Sequence, residues 1–136
     1  MCKTEINSKK SKNLIIDVRN NGGGSQSASI HLLRYLVEKP FTYYSNADFE
    51  GKKEKIEGEE PVAPYKNRYD GNLYFLIDGV GNSTTGHFMS IVKVLNLGTI
   101  IGEELGSNQF CSAGGKTFRL THTKLIYTVA DNTHES

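Results

Sequence analysis

The chain has 136 residues, the length of a single domain. Its 16 Lys and Arg residues against 15 Asp and Glu residues leave a net charge of +1, so charge gives no reason to expect a nucleic acid or an anionic membrane as partner. A hydrophobic fraction of 37% is too high for wholesale disorder. Two cysteines cannot make a disulfide framework, and no apolar run approaches the ~20 residues of a spanning helix.

The start of the chain is polar and Lys-rich, and it lacks the apolar stretch of a signal peptide. It leads directly into an apolar run at residues 14–18. Because a domain seldom begins abruptly on a core strand, we expect residues 1–136 to be a single partial domain cut from a longer protein.

The run at 14–18 is nearly continuous in apolar residues, which predicts a strand buried on both faces, as in a parallel sheet. The turn N-N-G-G-G at 20–24 follows, and its residues tolerate positive φ. Ser25 or Ser27 can cap the next element. Apolar residues at helical spacing then predict a helix over 26–38.

Residues 41–44 are predicted to form a strand, after which the periodicity is lost. Residues 45–71 carry a mixed-charge stretch, which predicts a solvated surface excursion or hairpin. A substrate-binding flap is the alternative interpretation of the same segment.

The second half repeats the alternation of strand and helix. Its predicted elements are a strand at 73–77, a helix at 84–96, a strand at 99–102 and two hairpin strands at 117–120 and 125–129. Residues 103–115 are predicted as a loop and 131–136 as a polar tail. The order predicts a layered α/β fold with a largely parallel sheet, helices packed on it and a C-terminal β-hairpin.

Two strand–turn–helix junctions share one design, LIIDVR-NNGGG-SQS and LYFLIDG-VGNSTT-GHF. Each places backbone N–H groups at a helix start, where the dipole also favours negative charge. The three glycines either form a purely structural turn or let a ligand oxygen approach, for phosphate binding or an oxyanion hole. Because neither G-x-x-x-x-G-K-[ST] nor G-x-G-x-x-G is present, we do not expect nucleotide binding.

Ser83 is the candidate nucleophile because it stands at the start of the second predicted helix. Serine is also among the commonest helix N-caps, so capping is the alternative interpretation. A serine at a strand-to-helix turn can attack a carbonyl while the N–H of the next residue, Thr84, faces the developing oxyanion. It needs a base, because a free hydroxyl is a poor nucleophile.

Candidate bases and metal ligands are few. His87 follows Ser83 by four residues on the same helix face, which makes it a candidate base or substrate contact. Cys111, in a loop rich in Gly and Ser, is an alternative thiol nucleophile. No two histidines have metal-ligand spacing and no cysteine pair exists, so we expect no metal.

The two motifs, in this order, resemble those of the S41 peptidases, which comprise the tail-specific, C-terminal processing proteases and the related tricorn core proteases. The stretch DVRNNGGG at 17–24 is similar to the family's strand ending in Asp-Leu-Arg-x-Asn-x-Gly-Gly. The stretch 83–103 is similar to the family's nucleophile segment, in which a serine precedes a helix and a strand that closes in Gly-Glu. The resemblance covers residues 14–129.

The resemblance implies a ClpP-like or crotonase-like α/β core that hydrolyses peptide bonds through an acyl-enzyme. Ser83 would be the nucleophile, and the backbone N–H groups of Gly24, Gly23 and Thr84 would form the oxyanion hole. The partner would be a peptide or protein substrate, with no nucleic acid and no cofactor. The family also suggests a parent protein that is extracytoplasmic or membrane-associated.

One departure from the family pattern concerns the base. Many processing proteases use a Ser–Lys dyad with the Lys in Gly-x-x-Thr-Phe-Gly-Lys-Gly, and the matching stretch GEELGSNQ has Asn108 at the Lys position. Lys116 lies further on and does not match. The resemblance therefore favours the tricorn-like branch, which takes a His from upstream and a Glu from downstream. We expect the base to lie outside this chain and the isolated chain to be nearly inactive.

Two other functions remain open from the sequence. The first is a catalytically inactive peptide-binding or scaffold domain of the same fold, which the missing Lys permits. The second is a crotonase-type enzyme that acts on thioesters with the same pair of N–H donors. A sheet edge exposed by truncation would favour a homodimer.

Overall fold

A three-stranded parallel sheet is the centre of the fold. The computed structural model describes residues 11–44, 58, 60–113, 115–129 and 132–135. The sheet strands are β1 (Asn13–Asp17), β2 (Asn72–Ile77) and β3 (Thr99–Gly102), in the spatial order β1-β2-β3. Helix α1 (Gln26–Leu33) follows β1, and helix α2 (Thr84–Val94) connects β2 with β3. The predicted α/β class with a parallel sheet is confirmed.

Both helices begin where the sequence predicts and end earlier. The Ser25 side chain accepts a hydrogen bond from the N–H of Ala28, so Ser25 caps α1. α1 ends at Leu33 instead of residue 38, because the chain tightens into a turn at 34–36. α2 ends at Val94, two residues early. No helix among the described residues combines the length and apolar character needed to cross a bilayer.

The core lies on one face of the sheet. Leu73 and Phe75 of β2 are buried against the helices, and the Phe75 ring meets the Phe88 ring of α2 edge to face at 6.0 Å. The other face is open, since Ile15 is 63% and Ile101 48% exposed. The prediction that the β1 run is buried on both faces is therefore wrong, because α1 and α2 contribute to the same core cluster.

The segment that follows α1 packs against it. Phe41 forms an isolated antiparallel bridge with Val62, where a strand over 41–44 was predicted. Residues 45–57 and 59, most of the predicted charged excursion, lie outside the described residues. Its later part is more closely packed than predicted: the Arg34 guanidinium lies 3.9 Å from the centre of the Tyr65 ring, and Tyr69 is buried.

The C-terminal region forms one long antiparallel hairpin. The predicted pair is present as β5 (Lys116–Arg119) and β6 (Ile126–Val129). A second pair, β4 (Phe110–Ala113) with β7 (Asn132–Glu135), lies where a loop and a polar tail were predicted. Ala113 opposes Asn132 and Lys116 opposes Val129, so three residues along one strand match three along the other. The two pairs therefore share one register.

We expect Phe75→Ala to lower the free energy of unfolding by about 3–5 kcal/mol, because it leaves a cavity under α2. Phe75 is 0% exposed. Urea unfolding followed by circular dichroism measures the change. Ile15→Ala, on the open face of the same sheet, is the matched control and should change stability by less than about 1 kcal/mol. Equal losses in the two variants would contradict the assignment of the core face.

Candidate active site

Asp78 connects the turns that follow β1 and β2. Its Oδ1 accepts hydrogen bonds from the N–H groups of Asn20 at 3.0 Å, Val80 at 3.1 Å and Gly81 at 3.2 Å. Because β1 and β2 are parallel neighbours, their carboxyl ends lie at the same sheet edge, where sites of α/β folds form. One carboxylate therefore fixes both turns at that edge.

Further hydrogen bonds join the first turn of α2 to the glycine loop, residues 20–24. The Thr84 hydroxyl donates to the Gly24 carbonyl at 2.9 Å, and the Thr85 hydroxyl donates to the Asn21 carbonyl at 3.1 Å. The Asn82 N–H donates to the same Asn21 carbonyl at 3.0 Å. The two junctions that the sequence singled out are thus held against each other.

Ser83 adopts a strained backbone conformation directly before α2. Its φ of 54° and ψ of −126° lie outside the regions that ordinary residues prefer, at a cost of about 1–3 kcal/mol. Its hydroxyl makes no capping bond to the helix, so the predicted alternative of an ordinary N-cap is not supported. A strained strand-to-helix turn is the arrangement that presents a nucleophilic serine in other hydrolases.

Gly23 lies in contact with the Ser83 turn. A Cβ atom on Gly23 would lie 2.8 Å from the Ser83 Cβ and 2.9 Å from the Thr84 nitrogen, and the φ of Gly23 is 96°. Only glycine fits here, because both the space and the backbone conformation exclude a side chain. The glycine loop and the Ser83 turn therefore meet at one point.

Of the three predicted oxyanion-hole groups, the Gly23 N–H already donates to the Asn21 Oδ1 at 2.9 Å. Among the described residues, no acceptor pairs with the Gly24 N–H. Thr84 is the first residue of α2, so its N–H is one of the four that have no acceptor within the helix. The Gly24 and Thr84 N–H groups are thus the two donors beside Ser83.

A groove of about 910 Å³ runs from Ser83 along α2. Its opposite wall contains residues 104–110, which pass so close to Gly86 that a Cβ there would collide with the Ser107 hydroxyl. Ser107 in turn donates to the Ser83 carbonyl at 3.4 Å. Asn108, at the position of the family's Lys, lines the groove together with Ser83.

His87 lies in the core. It is 0% exposed, and its ring lies 5.9 Å from the Tyr43 ring and 6.1 Å from the Tyr44 ring. It is absent from the groove as the described residues define it. The structure thus gives His87 a packing position and no surface with which to touch a substrate, contrary to its prediction as a substrate contact.

Sequence reasoning missed the contributions of Asp78, Asn21 and Ser107. Asp78 carried a usable signal, because an Asp followed by Gly at a strand end is typical of side chains that accept bonds from the turn that follows. Its bond to Asn20, 58 residues away, had no local signal. The same holds for Ser107, which reaches the turn from a segment 24 residues later.

One family model and two solved structures are similar to this chain. The model of Peptidase family S41 matches residues 2–130. A photosystem II D1 C-terminal processing protease has a TM-score of 0.62 at 20% identity, over 97% of this chain and 31% of that chain. A candidate peptidase from Parabacteroides merdae has a TM-score of 0.59 at 22% identity, over 93% of this chain and 42% of that chain. No curated protein matches.

This chain therefore spans less than half the length of either structure. At these identities the likeness shows the fold alone. It supports the mixed α/β arrangement with a parallel sheet.

We expect Gly23→Ala to lower stability by about 1–3 kcal/mol, because the new methyl group forces the two turns apart and its backbone must keep a positive φ. Thermal unfolding measures the change. Gly22→Ala is the matched control, since a Cβ on Gly22 meets no atom within 4 Å, and it should be nearly neutral. If both variants were equally stable, the contact between the turns would be wrong.

Asp17, the last residue of β1, should stay ionised far into acid. Its carboxylate receives two hydrogen bonds from the Arg19 side chain, at 2.9 and 2.7 Å, and one from the Arg19 N–H, which together lower its pKa from 3.8 to about 2. A carboxyl whose pKa is lowered on folding contributes stability above its ordinary pKa and loses it as the pH falls towards the lowered value.

An NMR titration of the Asp17 carboxyl carbon checks this expectation. We expect a midpoint near pH 2 in the unaltered protein, and a midpoint that moves back towards 3.8 in Arg19→Gln. A midpoint near 3.8 in the unaltered protein would show that the Asp17–Arg19 pair does not form in solution.

Proposed function

The chain belongs to peptidase family S41, and from that premise we propose that it hydrolyses peptide bonds through an acyl-enzyme on Ser83. The observation that carries the proposal is the contact of Gly23 with Ser83 and Thr84, which sets two backbone donors beside one strained serine. Paired donors of this kind stabilise the negative charge that develops on a carbonyl oxygen, and removal of one typically costs ~100–1000-fold in rate.

In the first half of the proposed reaction, the Ser83 Oγ attacks the carbonyl carbon of the substrate while a base takes its proton. The carbonyl oxygen becomes an oxyanion that accepts hydrogen bonds from the N–H groups of Gly24 and Thr84. Gly23, whose own N–H is occupied, permits the close approach. The C–N bond then breaks, and the protonated base returns its proton to the leaving amine.

In the second half, a water molecule gives a proton to the base and attacks the ester on Ser83. The oxyanion forms again between the same two donors. When the ester bond breaks, Ser83 regains its proton and the substrate leaves with a new carboxylate end. The residues of this chain thus supply the nucleophile and the charge stabilisation.

The base, we propose, comes from a part of the protein outside the described residues. The described groove offers Lys93, ten residues along α2 from Ser83 and hence roughly 15 Å away, and Glu104, whose carboxylate is a poor base towards a hydroxyl at neutral pH. Asn108 has no basic group. A peptide or protein is the substrate, and the remainder of the parent protein, with a His in the tricorn-like manner, is the second partner.

A second candidate function is a peptide-binding domain of the same fold without catalysis. Asn108 at the Lys position is the observation that favours it, since the groove then binds a chain without a base to activate Ser83. The two candidates differ in one measurable property, the reactivity of the Ser83 hydroxyl.

A fluorophosphonate probe tests that reactivity. We expect one adduct per chain, located at Ser83 by peptide mass spectrometry, formed slowly over hours, and absent in Ser83→Ala. Ser27→Ala, an exposed serine of α1, is the matched control and should label as the unaltered chain does. An adduct elsewhere, or none after prolonged incubation, would contradict the nucleophile and favour the binding domain.

Peptide hydrolysis tests the base separately. We expect the 136-residue chain alone to show only residual turnover, because serine enzymes that lack a triad member keep a small fraction of their rate. Efficient hydrolysis that Ser83→Ala abolishes would support Ser83 and overturn the proposal that the base lies elsewhere.

A further inference from the structure

A second, smaller cavity of about 220 Å³ adjoins the two candidate N–H donors. Gly24 and Thr84 form part of its wall, and the space extends from them between α1 and α2. Its size is below the roughly 300–1,000 Å³ of sites for whole small molecules, so it has room for a single side chain of a longer ligand.

The described walls of this cavity carry no ionisable side chain. Val18 and Phe88 belong to the buried core and contribute apolar surface, and Ala28 and Leu32 contribute aliphatic groups from α1. The hydroxyl of Thr84 is engaged with a backbone carbonyl of the glycine loop. A charged side chain would therefore lose its hydration here without gaining a partner, at a large cost in free energy.

Ala28 and Leu32 give the cavity its opening. They lie four residues apart on α1 and so share one helix face, and this face is exposed although it is apolar. Leu32 is 38% exposed, whereas Ile30 and Leu33 on the other side of α1 are buried in the core. An exposed apolar face that ends beside two free donors indicates a surface for part of a ligand.

We propose that this cavity receives the side chain of the substrate residue that supplies the scissile carbonyl, and that it selects small aliphatic side chains. The side chain on the acyl side branches one carbon away from the carbonyl carbon, so it lies nearest to the Gly24 and Thr84 donors. Ala28 is then a specificity-determining residue, because its methyl group leaves the entrance open. This inference rests on the proposed function.

Binding of product-like peptides tests the inference without a base. Acetylated tripeptides that differ only in their last residue (Gly, Val, Phe, Lys or Asp) present a carboxylate to the donors and a side chain to the cavity. Titration into the ¹⁵N-labelled chain, followed by NMR, gives a dissociation constant and shifts of the Gly24 and Thr84 amides. We expect the Val peptide to bind about tenfold more tightly than the Gly, Lys and Asp peptides.

Two variants of opposite effect make the test specific. Ala28→Leu fills the entrance and should reduce the affinity for the Val peptide to that for the Gly peptide, which itself should not change. Ser27→Leu adds the same bulk at the neighbouring exposed position and should leave both affinities unaltered. Leu32→Ala enlarges the cavity and should move the preference towards the Phe peptide.

Two results would overturn the inference in distinguishable ways. If the Gly24 and Thr84 amides shift with every peptide but the last side chain and the Ala28→Leu change have no effect on affinity, the cavity is not the side-chain site, while the proposed function stands. If no peptide shifts these amides, the oxyanion hole itself fails, and the side-chain site fails with it.

Discussion

The hydrogen bonds of one carboxylate determine where the candidate site lies. Asp78 binds the backbone of the turn after β1 and of the turn after β2, two regions that the chain separates by nearly 60 residues. The parallel pairing of β1 with β2 brings the turns to the same sheet edge, and Asp78 then fixes their distance. Without this link, the glycine loop and Ser83 would be two unrelated surface turns.

The strain at Ser83 is supported by the structure around it. Hydrogen bonds from Thr84, Thr85 and Asn82 to the glycine loop fix the residues on both sides, so that the unfavourable conformation of Ser83 is imposed by its neighbours. Strain that persists in a well-bonded environment is characteristic of functional sites. The same bonds use up the hydroxyls and carbonyls at the junction and leave two N–H groups for a ligand.

The sequence predicted most accurately what is local. The alternation of strands and helices, the Ser25 cap and the two strand–turn–helix junctions each follow from a few neighbouring residues, and all are present. The features that it missed depend on distant partners. His87 is buried because Tyr43 and Tyr44 cover it, and β4 forms because β7 pairs with it. The short α1 reflects a turn at 34–36 whose apolar residues kept the helical spacing and so concealed the helix end.

The claim at the centre of this account is that the Gly24 and Thr84 N–H groups bind the same oxygen atom while Ser83 attacks the adjacent carbon. A crystal structure of the fluorophosphonate adduct measures this directly, since its phosphoryl oxygen takes the place of the oxyanion. We predict that this oxygen accepts hydrogen bonds of about 2.7–3.1 Å from both nitrogens. A phosphoryl oxygen that points into solvent, with either N–H bonded elsewhere, would contradict the account.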